Sequence, residues 1–546
     1  TDAHVPGAVS ELSGRGELNI LNPGFTEFHH FDVFAQRVDL RTVEFLYPTF
    51  PRLQGWLAGS TVLDSSWMDV QFSNADLSLA DTDALVTRLT GSGRITYGEP
   101  YMTYDASLVA DSLSLTALRR SYPALPMIGD YSGTIQVQGT TPDLFLDVSL
   151  RGPGGAISYN GHVDADAPSF GARGSGRIVG LDPAVVVPGA RSPAGSLTGN
   201  YEVDVSGDSL ADLVGSASVS LERSEFDSVH VFSSRARLRF ADGRVHLDTL
   251  RLETSAAMLT ANGALGLHAG VVDSLSYTIT VDSLGGLRPF LASRTAVQTG
   301  IADSLAGRAE LHGAMTGNLD SLSVRGELAG SGLYINKDRG ASTSGRFALD
   351  DVLRAPHGTV SFELDTLVLA GVRVDTIGFE ARLAQVKASS ATGPQFAGTF
   401  NVGALNDNGP TLAVGGTISH LSGWTEVTVQ SGNADLGADR WTLAHASTLR
   451  IDSTRITIDT LRMTNGKGGV WAVAGSVPDE DSVHVWMRAD SIPVRDVALL
   501  LQVADTMSGW GSLHADITGT RAAPHATVDA VGRNLQYGNM QLDRVV

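Results

Sequence analysis

The chain of 546 residues has no cysteine, which excludes disulfides and thiolate metal sites and leaves the redox compartment open. Lysine is nearly missing, with only Lys337, Lys387 and Lys467, and the arginines are scattered along the chain. At a net charge of −20, no cationic stripe exists for a nucleic acid to use. Aromatic residues make up 7%, too few for the stacking platforms that bases and sugars prefer. No run approaches the roughly 18 to 20 apolar residues that span a bilayer, and no signal peptide is recognisable. The chain opens on Thr1 and stops at Val546 in mid-pattern, so it reads as a segment of a longer protein. What is present is 42% hydrophobic residues against 18% charged ones, a balance that excludes disorder. Glycine is abundant and Asp outnumbers Glu, as turns and bulges require.

The most informative pattern is the frame apolar-x-apolar-Asp-Thr-apolar-x-apolar. It occurs at 245–252, 362–369, 372–379 and 456–463, with Asp-Ser variants at 108–115 and 226–231. On each side of the Asp, apolar and polar residues alternate with the period of a strand that buries one face. The alternation slips at the Asp step, and either a β-bulge or a two-residue hairpin there returns the next apolar pair to the same face.

A looser repeat is also present. AGRAELHGAMTG at 306–317 and SGWGSLHADITG at 508–519 share five of twelve positions. Each follows an Asp-containing strand end and a stretch with helix-like spacing (113–126, 284–301 and 492–503 are examples) that reads as a short crossover helix. Loose repeats fall around 38–175, 178–330 and 345–530, within one continuous body over 1–546. Gly93, Gly263 and Gly475 hold matching places at uneven spacing, which favours an open, solenoid-like sheet over a closed propeller. Strands of about 7 to 10 residues give about 35 to 45 of them, an elongated sheet at ~4.8 Å per strand.

Short helices cannot cover such a face. It must curl on itself, pack against a second sheet as in an ordinary β-sandwich, or meet an apolar ligand. Its Val, Leu and Ile suit acyl chains. Catalytic signatures are missing: there is no nucleophile elbow, phosphate loop, dinucleotide fingerprint or zinc-protease helix. The glycines at 171, 174, 176 and 180 miss the dinucleotide spacing and read as a turn. His29 and His30, adjacent in a strand, point to opposite faces and make a poor metal pair. The repeated Asp residues read as turn or bulge caps rather than calcium ligands. No catalytic residue, metal or cofactor is therefore assigned, and the chain reads as a non-enzyme.

The blocks Asp242-Gly243-Arg244-Val245-His246-Leu247-Asp248-Thr249-Leu250 with Leu259 to Leu267, and Val281-Asp282-Ser283-Leu284 with Leu305 to Gly313, resemble the TamB/AsmA-like family of bacterial envelope proteins. That resemblance covers nearly the whole chain in pattern. It implies an all-β fold with short crossover helices: an elongated, curled, mostly antiparallel sheet forming a repeating, taco-like β-groove open along one side. The implied role is phospholipid transport from inner to outer membrane across the periplasm, contributing to outer-membrane biogenesis. An inner-membrane anchor would lie outside this segment, and an outer-membrane barrel assembly protein is an implied partner. The family lends no catalytic residue. The candidate groove floor is Val245, Leu247, Leu250, Leu252, Phe362, Leu364, Leu367, Leu369, Ile456, Ile458, Leu461 and Met463; in a sandwich the same residues would be core. Alternatives are an adhesin-like structural stalk, an assembly module for outer-membrane protein insertion without lipid conduction, and a β-helical polysaccharide-active enzyme.

Overall fold

Alternation of apolar and polar residues is realised as strand almost everywhere. Among its described residues, the computed structural model of the protein contains 34 strands and a few short helices. Its described residues are 9–22, 25–46, 53–81, 86–98, 100–121, 127–166, 170–186, 195–226, 229–287, 305–335, 338–369, 372–386, 395–406, 409–420, 424–436, 439–452, 455–478, 482–500, 502, 507–520 and 523–546. The chain forms two units, 1–255 with 260–271 and 256–259 with 272–546. Within each, successive strands pair antiparallel as a long meander.

Strands are longer than the spacing predicts, reaching 15 residues in Phe25–Asp39 and Ala523–Tyr537. The Asp steps mostly bend a strand instead of ending it. Leu238 sits opposite Leu247 while Arg237 sits opposite Thr249, so Asp248 is the extra residue of a bulge. Ile458 and Leu461 face Gly475 and Val473, so Asp459 and Thr460 together oppose one residue. Asp111-Ser112 bulges in the same way against Ser132. The frames at 362–369 and 372–379 form one hairpin, strands His357–Leu369 and Val372–Ala384, with Asp365 opposite Thr376 and no register shift. There Thr366 takes a left-handed φ of 51°, so both strands turn at one level and stay in step. Asp227-Ser228 lies outside the described residues, between the paired strands Ser224–Phe226 and Val229–Val231.

Two expectations are corrected. Residues 171–180 are not a turn: they lie in strand Phe170–Leu181. Tyrosines explain why glycines sit in a strand interior. A Cβ on Gly176 would run into the Ser158 carbonyl and Tyr201 Oη, and one on Gly174 would meet the Asn160 carbonyl at 2.6 Å and Tyr159 Cε2 at 2.9 Å, so neighbouring rings and backbone occupy the space a side chain would need. The helices are also not crossovers. Leu40–Leu46, Leu115–Ser121, Pro183–Val186 and Val494–Leu500 each connect strands that are direct antiparallel neighbours. Antiparallel neighbours need no crossover, and these helices sit along a margin of the sheet.

Candidate functional site

Residues directly opposite one another in a sheet share a face, so register alone sorts the side chains. In the first unit one line across the strands runs Ala75, Gly91, Leu108, Ile135, Val148, Tyr159, Gly176, Tyr201, Val219, Ala236, Leu250. Shifted by one residue, the next line reads Ser107, Gln136, Asp147, Asn160, Ser175, Glu202, Ser218, Arg237, Thr249. One face is therefore continuously apolar and the other continuously polar.

The second unit repeats the division. Its apolar line runs Leu275, Met315, Val324, Leu349, Gly358, Leu383, Gly398, Ile418, Val427, Leu449, Ile458, Gly475, Val485, Ile517, Ala526. A polar line runs Thr278, His312, Glu327, Arg346, Ser361, Glu380, Asn401, and Arg346 Nε lies 3.2 Å from Glu327 Oε1 within it.

The bulges preserve this sorting. Leu247 and Leu250 are three apart, yet both face residues of one parity, Leu238 and Ala236. Val245 faces Phe240 on the same side. Likewise Ile458 and Leu461 oppose Gly475 and Val473, which are two apart. Ile456 lies opposite Val477, and Met463 opposite Trp471. Phe362 stacks on Phe379 at 6.3 Å between ring centroids, and Leu364 pairs with Ile377. Leu367 shares their face: a Cβ on its partner Gly340 would touch Leu364 Cδ1 at 3.1 Å. Leu252 lies two residues beyond Leu250 in strand Arg244–Glu253. The side chain of Leu369 lies outside the described residues. The first unit thus gathers four of the candidates and the second gathers the rest.

None of the described candidates is fully buried; all are half-buried except Phe362, which is 37% exposed. The whole chain exposes 30000 Å². A compact monomer of 57.3 kDa would expose about 19,000 Å², and two separate compact bodies of half that mass about 23,000 Å². A sandwich sealed by a second sheet would bury these residues, as happens at the helical margin. There Ala110, Leu113, Leu115, Tyr131, Leu150 and Val186 form a small closed core, tied down by the ion pair of Arg120 with Asp81.

One tyrosine on the apolar face is satisfied locally. Tyr201 Oη donates to Ser158 O at 2.8 Å, and burial pushes its hydroxyl up to about 12, so the ring stays uncharged. Sequence reasoning missed these tyrosines because the sole signal is their register opposite glycines. His29 and His30 occupy a bulge between Phe28 and Phe31, where His30 N donates to Asp64 Oδ1 at 2.7 Å. Among the described residues no three His, Cys, Asp or Glu side chains group as metal ligands, and no helix is long and apolar enough to cross a membrane. No family model matches the chain, and no curated protein matches it in sequence.

Proposed function

We propose that this chain is part of a periplasmic phospholipid conduit between inner and outer membrane, of the TamB/AsmA-like kind that its sequence resembles. The observation that carries the reading is the uninterrupted, half-exposed aliphatic face of each unit. Covering such a surface is favourable by about 0.8 kcal/mol per buried methylene, and an acyl chain supplies methylenes without adding a polar group that needs a partner. Headgroups stay in water beyond the face. Successive positions along a line are chemically alike, so no deep pocket arrests a molecule and movement along the face costs little. In this reading an inner-membrane anchor lies outside this segment, and an outer-membrane barrel assembly protein is a partner.

The test begins with solvent extraction of the purified chain and mass spectrometry of the extract, which should yield phospholipid. Leu250→Arg and Leu461→Arg each place a charge on the apolar face, one per unit. Each should reduce co-purified lipid severalfold while circular dichroism stays that of a β-sheet protein. Lipid-free protein of full solubility would instead favour the structural stalk. Unchanged lipid content in the double variant would remove these residues from the floor.

A further inference from the structure

Helix Val494–Leu500 buries an acid and leaves two aliphatic side chains open. Its acid, Asp496, is 1% exposed, while Val497 and Leu500 are 42% and 47% exposed. The cause is a hydrogen bond across 55 residues: Trp441 Nε1 donates to Asp496 Oδ2 at 2.9 Å. Trp441 stands on the apolar face, in line with Leu364 through Ile377, Ala404, Leu412 and Ala434. The helix therefore lies on the apolar side of the second unit, where Val497 and Leu500 remain open.

A second tether lies just beyond. Gln502 accepts from the Arg373 backbone N–H at 3.0 Å and donates through its Nε2 to the Arg373 carbonyl. Arg373 is in strand Val372–Ala384, and the helix follows strand His484–Pro493. Seven inter-strand steps separate the two strands, about 34 Å along a flat sheet. The helix rises only about 10 Å, and two further residues add at most about 7 Å. The sheet must coil for this tether to reach, and the helix spans the inside of the coil.

We propose that Val494–Leu500 is a second wall of the acyl path, with Val497 and Leu500 touching the chains and Asp496 acting as the positioning residue that holds them there. The proposal rests on the lipid reading above. It explains why a helix would bury a carboxylate whose Oδ1 has no partner and leave two aliphatic side chains in the open. With lipid present, those two side chains are covered.

Photo-crosslinking tests it in the full chain, with p-benzoylphenylalanine placed singly at Val497, Leu500, Leu412 on the sheet, or Glu380 on the polar face. The probe is vesicles of phosphatidylethanolamine and phosphatidylglycerol. Lipid adducts are expected at 497, 500 and 412 and not at 380. Adducts at 412 without adducts at 497 or 500 overturn the wall and leave the conduit standing. Adducts nowhere overturn both. Asp496→Ala, which deletes the acceptor for Trp441, should lower the 497 and 500 adducts at least about fivefold, the worth of one hydrogen bond, with the 412 adduct unchanged. Asp496→Asn keeps an acceptor oxygen and should restore them. Equal adducts in Asp496→Ala and the parent would strip Asp496 of its role.

Discussion

Single side chains set the direction in which larger pieces face. Asp248 is one residue too many for its strand, and that surplus keeps Leu250 beside Leu247 on the apolar face. Asp496 works by the opposite means, giving up water to accept from Trp441. Burial pushes its carboxyl above the usual range; the Trp441 hydrogen bond opposes this, the Asp439 charge adds to it, and Arg495 and Lys467 oppose it. The sign of the consequence follows from proton counting. Between the ordinary carboxylate range and the raised value, the folded chain keeps a proton that the unfolded chain has lost. Stability from this site therefore falls as pH rises through that window. Asp496→Asn should remove the slope, melting above the parent at pH 7, with the gap closing toward pH 4. Thermal scans at several pH values read this directly, and a gap that does not change with pH would show that ionisation plays no part.

At the level of the element, one sequence frame yields different local structures, and neighbours decide which. Where the partner strand has no matching slip, the Asp step becomes a bulge, as at Asp248 and Asp459. Where two frames face each other, as at Asp365 and Thr376, the register is conserved. This makes deletion and substitution distinguishable. Asp248→Ala should leave the facing of Leu250 intact, since the extra residue remains. Deleting both Asp248 and Thr249 should turn Leu250 and Leu252 toward the polar face, because Leu250 would then directly follow Leu247, and a one-residue slip reverses every side chain beyond it. The absence of native cysteine allows a clean readout: a single cysteine at position 250 should label faster with a water-soluble maleimide in the deletion than in the substitution. Equal labelling would show that the strand absorbs the loss elsewhere.

Across the molecule, each unit pairs an open apolar face with a charged polar one, as the proposed conduit would require. The polar face is laced with ion pairs such as Arg177 with Glu222 at 2.7 Å and Arg450 with Glu426 at 2.9 Å. Exposed pairs of this kind add little stability, but with the net charge of −20 they keep one face in water. In the proposed conduit, the apolar face of each unit is left for lipid to cover. Stripping lipid by detergent exchange should therefore increase binding of an apolar fluorescent dye such as ANS, and adding phospholipid back should reverse it. Dye binding indifferent to lipid would mean that the face is already covered.

The two-faced strand was legible from residues alone, because a period of two leaves a mark in any strand with one wet side. The Val, Leu and Ile at 245, 247, 250, 456, 458 and 461 therefore announced a common face before any coordinates. The glycines at 174 and 176 did not announce a strand, since the rings of Tyr159 and Tyr201 that lie where their side chains would be come from other strands. Nor did the alternation reveal how much of the face would stay uncovered, or that Val494–Leu500 would reach Trp441 and Gln502 would reach Arg373. Periodicity is a property of neighbours along the chain, whereas coverage and tethering depend on which distant strands the coil brings within a hydrogen bond's length.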